Sequence, residues 1–275
     1  MLTALALSAA TPALGATGAP GLTARIALHD GLVWADVDCG GTALHFVVDT
    51  GAASSCLDLA AARRLGLRLG GALSVAGVDG RTTGYRCAGF HASVGGMRLP
   101  EEIVALDLSG PARACSEAID GLIGADFFRG KVVRIDYARR TLSSQGNLAG
   151  GGGIRLRFAN GVMCAPVAVN GGGTRWTRLD TGCTEALLWC DGGCCCVSAN
   201  QPKKAGKSVA LASSMGNTAT AEVTVGTAQL HGVPVKLRDR EIFPGEAGLL
   251  GNRALSKYRV TIDGIGKRLL LEPAL

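Results

Sequence analysis

Short apolar runs of strand length, cut by glycine-rich turns, make up most of this chain. Residues 32–37 and 44–48 read as two strands joined by the hairpin signal Cys39-Gly40-Gly41-Thr42. Residues 57–67, with Asp58 near the start and Gly66 near the end, predict the best short helix. Asp79-Gly80 between β-prone flanks predicts a tight hairpin over 75–83. A further strand pair is expected over 90–94 and 97–106, turning at Gly95-Gly96. Gly121-Leu122-Ile123-Gly124 follows, then a short segment at Asp126-Phe127-Phe128 and strands over 132–136 and 141–143. Apart from one Ala/Arg-rich piece, no stretch keeps a helical apolar period beyond about two turns, so the expected class is all-β with a few short helices.

The order then repeats. A strand over 162–169, the turn Gly171-Gly172-Gly173 and a strand over 176–179 correspond to the first hairpin. The two hairpins end on Asp49-Thr50-Gly51 and Asp180-Thr181-Gly182. Gly216-Asn217 stands where the first half has Asp79-Gly80, and Val225-Gly226 matches Val94-Gly95. Gly248-Leu249-Leu250-Gly251 matches Gly121-Leu122-Ile123-Gly124, and Val260-Thr261-Ile262-Asp263 matches Val133-Arg134-Ile135-Asp136. A two-copy duplication implies two similar lobes about a pseudo-twofold axis. The expected organisation is a leader over 1–20, a first lobe over 21–148, a Gly-rich linker over 149–153 and a second lobe over 154–275.

Composition narrows the function. Hydrophobic residues at 47% and charged residues at 18% supply a sizeable core and argue against disorder. The formal charge of +6 is scattered, with short pairs such as Arg139-Arg140 and Lys203-Lys204 and no basic patch interleaved with aromatics, which argues against nucleic-acid binding. Residues 1–20 hold an apolar run followed by small residues suited to cleavage after Ala16, though without a Lys/Arg n-region. They predict an exported protein, periplasmic or secreted, and are too short and broken to span a membrane. Ten cysteines fit an oxidising compartment and predict disulfides, with buried thiols or a metal as alternatives for the cluster from Cys190 to Cys196. No histidine lies near that cluster and it lacks C-x₂-C spacing, so no metal is expected.

The chemistry lies at the duplicated tripeptide. A twofold axis brings equivalent residues together, and if Asp49 and Asp180 are the ones that meet, the two carboxylates cannot both ionise and share one proton. The ionised oxygen then takes a proton from water that attacks a peptide carbonyl, while the protonated partner donates to the carbonyl oxygen. Thr50 and Thr181 would brace the loops across the axis, and Gly51 and Gly182 would let backbone N–H groups reach the carboxylates. No cofactor is needed. The sequence has no HExxH, no complete phosphate loop and no G-x-S-x-G elbow.

From about residue 32 to 271 the chain resembles the pepsin/retropepsin family of aspartic proteases, on its two Asp-Thr-Gly turns and the segments Leu122-Ile123-Gly124 and Leu249-Leu250-Gly251. The resemblance implies a bilobal, monomeric endopeptidase acting on peptides or unfolded proteins. It also implies a flap over residues 77–84, with Gly77, Val78, Asp79, Gly80 and Tyr85 near the substrate and residues 213–218 as its counterpart. Asp126, Asp136 and Asp263 are expected to be structural. Ala52 and Cys183 stand where the family often has Ser or Thr, and Arg178 stands where the first half has Val47. Pointing into the cleft, Arg178 would hold Asp180 ionised. Two other readings follow from that divergence: a catalytically inactive peptide- or protein-binding module, and an enzyme made by two chains pairing through their first lobes.

Overall fold

The expected meander is present but starts one strand early. The computed structural model describes residues 21–78, 80–146, 148, 152–190 and 218–274. It opens with β1 (Thr23–His29), β2 (Leu32–Cys39) and β3 (Thr42–Val48) as consecutive antiparallel neighbours. In β1, Ala24 and Ile26 face inward while Thr23 and Arg25 face solvent, a period-two pattern with little apolar mass. Next come β4 (Cys56–Asp58), α1 (Leu59–Arg64), the long hairpin β5 (Leu69–Gly77) and β6 (Gly80–Ala88), then β7 (Ser93–Val94), β8 (Met97–Arg98) and β9 (Glu102–Leu106). The first half closes with α2 (Ser109–Ala112), β10 (Gly121–Ile123), α3 (Ala125–Phe128), β11 (Val132–Asp136) and β12 (Thr141–Gln145).

The second half holds β13 (Ile154–Arg155), β14 (Arg157–Ala159), β15 (Val162–Val169), β16 (Arg175–Asp180) and β17 (Leu187–Cys190). It continues with β18 (Thr218–Val225), β19 (Ala228–Arg238), β20 (Gly248–Gly251), α4 (Asn252–Leu255), β21 (Tyr258–Asp263) and β22 (Arg268–Pro273). The fold is all-β with short helices. The leader, the cysteines at 194–196, the middle of the Gly-rich linker and the Gly216-Asn217 turn lie outside the described residues.

The predicted helix over 57–67 starts later, at Leu59, because Cys56 and Leu57 are drawn into a strand between β9 and β10. Asp58 ends that strand and caps α1, accepting from the N–H groups of Ala60 at 2.8 Å and Ala61 at 3.2 Å. The predicted strand over 97–106 is broken into β8 and β9, and Leu99 and Phe90 are bonded instead to Ala92 and Glu101 across the gap. The expected disulfides are absent at Cys39, Cys56, Cys87, Cys164, Cys183 and Cys190, which are free thiols. Cys56, Cys87, Cys164 and Cys183 are buried among apolar side chains and serve as small hydrophobes.

The duplication is visible in strand register. Leu122 pairs with Val47 across parallel strands β10 and β3, as Leu249 pairs with Arg178 across β20 and β16. Cys56 pairs with Val104 as Leu187 pairs with Val235. Strands β11 and β21 pair antiparallel with Arg134 opposite Thr261, residues separated by 127 positions and equivalent in the two copies. An antiparallel pair in which a residue faces its own counterpart marks where the twofold axis crosses the sheet. One apolar core then runs through both halves, with Phe46, Phe90, Phe127 and Phe128 fully buried in it.

Candidate active site

Strand alternation decides what reaches the axis. Phe46 and Val48 of β3 and Leu179 of β16 point into the main core, so Val47, Asp49, Arg178 and Asp180 share the opposite face. Each aspartate stands where its strand stops, and the loop beyond it is tied to the short helix behind. The N–H of Ala125 donates to the carbonyl of Ala52 at 2.8 Å, and the N–H of Asn252 donates to that of Cys183 at 2.7 Å.

The two loops interlock through their threonines. Thr50 Oγ1 donates to the carbonyl of Leu179 at 2.8 Å and accepts from the N–H of Thr181 at 3.1 Å. Thr181 Oγ1 donates to the carbonyl of Val48 at 2.6 Å and accepts from the N–H of Thr50 at 3.0 Å. Both side chains are fully buried, so every polar atom in this square is satisfied by the other half.

Above the threonines the carboxyl groups face each other and share a hydrogen bond. A β-carbon on Gly51 would stand 2.5 Å from Asp180 Oδ1, and one on Gly182 would stand 2.5 Å from Asp49 Cγ. Each carboxyl thus rests on the other half's glycine. Asp49 Oδ1 accepts from the N–H groups of Gly51 at 2.9 Å and Ala52 at 3.1 Å, whereas Asp180 Oδ1 accepts from that of Gly182 at 3.0 Å. Asp49 is half-buried and Asp180 is 5% exposed.

Burial raises the pKa of both groups. For Asp49 the hydrogen bond from Asp180, the two N–H donors and the charge of Arg178 offset part of the rise. For Asp180 the charge of Asp49 adds to burial, and its value is pushed well above the ordinary carboxyl range. The arrangement is unequal, with Asp180 raised the further, and the pair titrates as a unit that holds one proton jointly.

Arg178 shares the face of Asp180 on β16, but its guanidinium is taken up by Glu246 and the Gly51 carbonyl. Its Nε and Nη2 donate to Glu246 at 2.6 Å and 2.8 Å, its Nη1 donates to the carbonyl of Gly51 at 2.8 Å, and its guanidinium lies 3.5 Å from the Phe243 ring centre. Glu246 also accepts from Asn160 Nδ2 at 2.9 Å. Glu246, Phe243 and Asn160 had no local signal in the sequence. Cys183 is fully buried and gives Asp180 only a backbone contact, its N–H on the Asp180 carbonyl at 3.3 Å.

The β5–β6 hairpin reaches over to the second half. Val78 at its tip packs on the second half's cluster of Cys183, Leu188 and Leu249, beside Ile242 and Phe243. Gly77 and Gly80 form the closing pair of that hairpin, and Asp79 lies outside the described residues. Tyr85 sits mid-strand between Ala72 of β5 and Ala105 of β9, seven positions along the chain from Val78 at the tip. Of the proposed counterpart over 213–218, only Thr218 is described, and it opens β18. Asp126 accepts from the N–H and hydroxyl of Ser55, Asp136 from the N–H of Arg139 and Asp263 from the N–H of Gly266, so all three hold turns.

No helix among the described residues is long and apolar enough to cross a membrane. Residues 35–127 match the family model described as aspartyl protease. No curated protein matches the chain.

Proposed function

We infer that this chain, whose residues 35–127 match the aspartyl protease family model, is a retropepsin-type endopeptidase that hydrolyses peptide bonds with a water held between Asp49 and Asp180. The observation that carries the reading is the reciprocal seating of each carboxyl on the other half's glycine, with one hydrogen bond between them. Asp49, the less raised of the two, takes the proton from water. Asp180 donates to the carbonyl oxygen, and the tetrahedral intermediate collapses with the proton passing to the leaving amine. A single chain supplies both carboxyls, which supports a monomeric enzyme.

The test is hydrolysis of an unfolded protein across pH by the parent, Asp49→Asn and Asp180→Asn, with a statine-type transition-state mimic as inhibitor. Cleavage by the parent, loss in both variants and inhibition by the mimic are expected. Cleavage that survives either substitution would remove the aspartyl mechanism.

A further inference from the structure

Where the first half has Val47 and Ile119, the second has Arg178 and Glu246. Val47 and Arg178 pair with equivalent leucines, Leu122 and Leu249, and Ile119 and Glu246 precede those leucines by the same spacing. In the first half the pair is apolar and packs in one cluster with Leu32, Trp34 and Leu122. In the second it is a two-pronged ion pair whose residues are 5% and 1% exposed. Such a replacement contributes little to stability, because removing two charges from water offsets most of their attraction. Its orientation suggests another use. Arg178 Nη1 holds the carbonyl of Gly51, and the Asp180 carboxyl rests on the α-carbon of the same Gly51. One residue of the opposite half is therefore clamped between the guanidinium and the carboxyl pair.

We propose that Arg178, aimed by Glu246, is a positioning residue that fixes the Gly51 loop beneath the carboxyl pair and sets the charge balance at which Asp49 and Asp180 share their proton. The proposal rests on reading that pair as the catalytic one. The positive charge favours the ionised form of both carboxyls. Other titratable groups near the pair are three thiols and the carboxylates Asp126 and Glu185. Cys183 beside Asp180 and Cys56 near Asp49 and Asp126 are pushed up by burial, and Cys164 near Arg178, Glu246 and Arg157 is pushed up to about 11. All three thiols stay neutral in the acid range, so the nearby charges are those of Asp126, Glu185 and the ion pair, and of these the ion pair is the one whose guanidinium holds the Gly51 loop.

The test compares Arg178→Leu/Glu246→Leu, which restores the first half's apolar arrangement, with Glu246→Gln, which leaves the cation uncompensated. The readouts are carbon-13 titration of the aspartate carboxyls and the pH–rate profile. The double variant should titrate higher by about half a unit or more, and Glu246→Gln lower by a similar amount. A change in burial alone would not move the two in opposite directions. A conservative Arg178→Lys should keep most of the parent's titration. Shifts of the same sign, or none beyond about 0.2 units, would overturn the proposal. The carboxyl titration decides this whether or not the parent cleaves peptides, and a parent without cleavage would instead count against the catalytic reading.

Discussion

Gly182 and Asp49 come from different halves of the chain, yet a β-carbon on the glycine would stand 2.5 Å from the carboxylate carbon. The contact leaves no room for any side chain, and Gly51 faces the same restriction from Asp180. Gly182→Ala must push Asp49 aside or part the halves. The expected result is a fall in kcat of about 100-fold or more, with a stability loss of about 1–3 kcal/mol. Denaturant melts and steady-state rates on one preparation check both.

The threonine square is a stability device as much as a positioning one. Thr50→Val leaves the buried N–H of Thr181 without its acceptor and the Leu179 carbonyl without its donor. A loss of about 1–3 kcal/mol is expected, with Thr50→Ser recovering most of it. Thr181→Val acts on the same square, so the double variant should cost clearly less than the sum of the singles. Additive losses would show that the two hydroxyls work independently.

Titration of the dyad sets a stability slope whose sign can be worked out. Both carboxyls have folded pKa values above the ordinary one, so above about pH 4 the unfolded chain releases protons that the folded chain keeps. Their contribution is full below that pH and is lost as pH rises toward the folded values. Asp180→Asn removes most of this loss. Its melting temperature should exceed the parent's at pH 7, with the gap closing near pH 3. Asp263 runs the other way. Burial alone would raise it, but the N–H of Gly266, the Arg268 guanidinium and the N–H of Ile265 outweigh burial and lower its pKa. Asp263→Asn should destabilise at pH 7, with the difference shrinking as pH falls below about 4.

The optimum for cleavage follows from the same groups. Neither Ala52 nor Cys183 offers a hydroxyl to its neighbouring carboxylate, and the Cys183 thiol is not among the donors to Asp180. The acid limb of the pH–rate profile should lie above about pH 3, with a maximum well above pH 2. Ala52→Ser would add a donor to Asp49 and move the acid limb down.

Much of this was legible in the residues because the duplication carries its own check. Two matched tripeptides located Asp49 and Asp180, and the strand pairs β3–β10 and β16–β20 set Val47 and Arg178 opposite the equivalent leucines Leu122 and Leu249. Strand β1 was missed because its buried face offers only Ala24 and Ile26 before the pattern fades. The start of α1 was placed too early because Leu57 fits a helical stripe as well as a strand, and only pairing with β10 decides between them. Arg178 stands out in the sequence beside Val47, but its partner does not. Glu246 lies 68 positions away, and nothing local marks it. Its trace in the sequence is the paired change of Val47 and Ile119 to Arg178 and Glu246 at equivalent places of the two halves.

Cys183 offers a way to watch the cleft open. It is fully buried, and Val78 at the tip of the β5–β6 hairpin packs on its cluster with Leu188 and Leu249. Burial and the neighbouring Asp180 charge push its thiol well above the ordinary value, so little thiolate forms even when a reagent arrives. In the parent, alkylation at Cys183 should therefore lag far behind that at the half-exposed Cys39. Val78→Ser weakens the apolar contact by about 1–2 kcal/mol, which raises the open population roughly tenfold and the Cys183 rate with it. A statine-type mimic bound beneath the hairpin should suppress that gain. Site-resolved mass spectrometry over a time course reads both changes, and the melting temperature shows whether global unfolding contributes. An unchanged Cys183 rate in Val78→Ser would mean that the hairpin tip does not control access to the second half of the cleft.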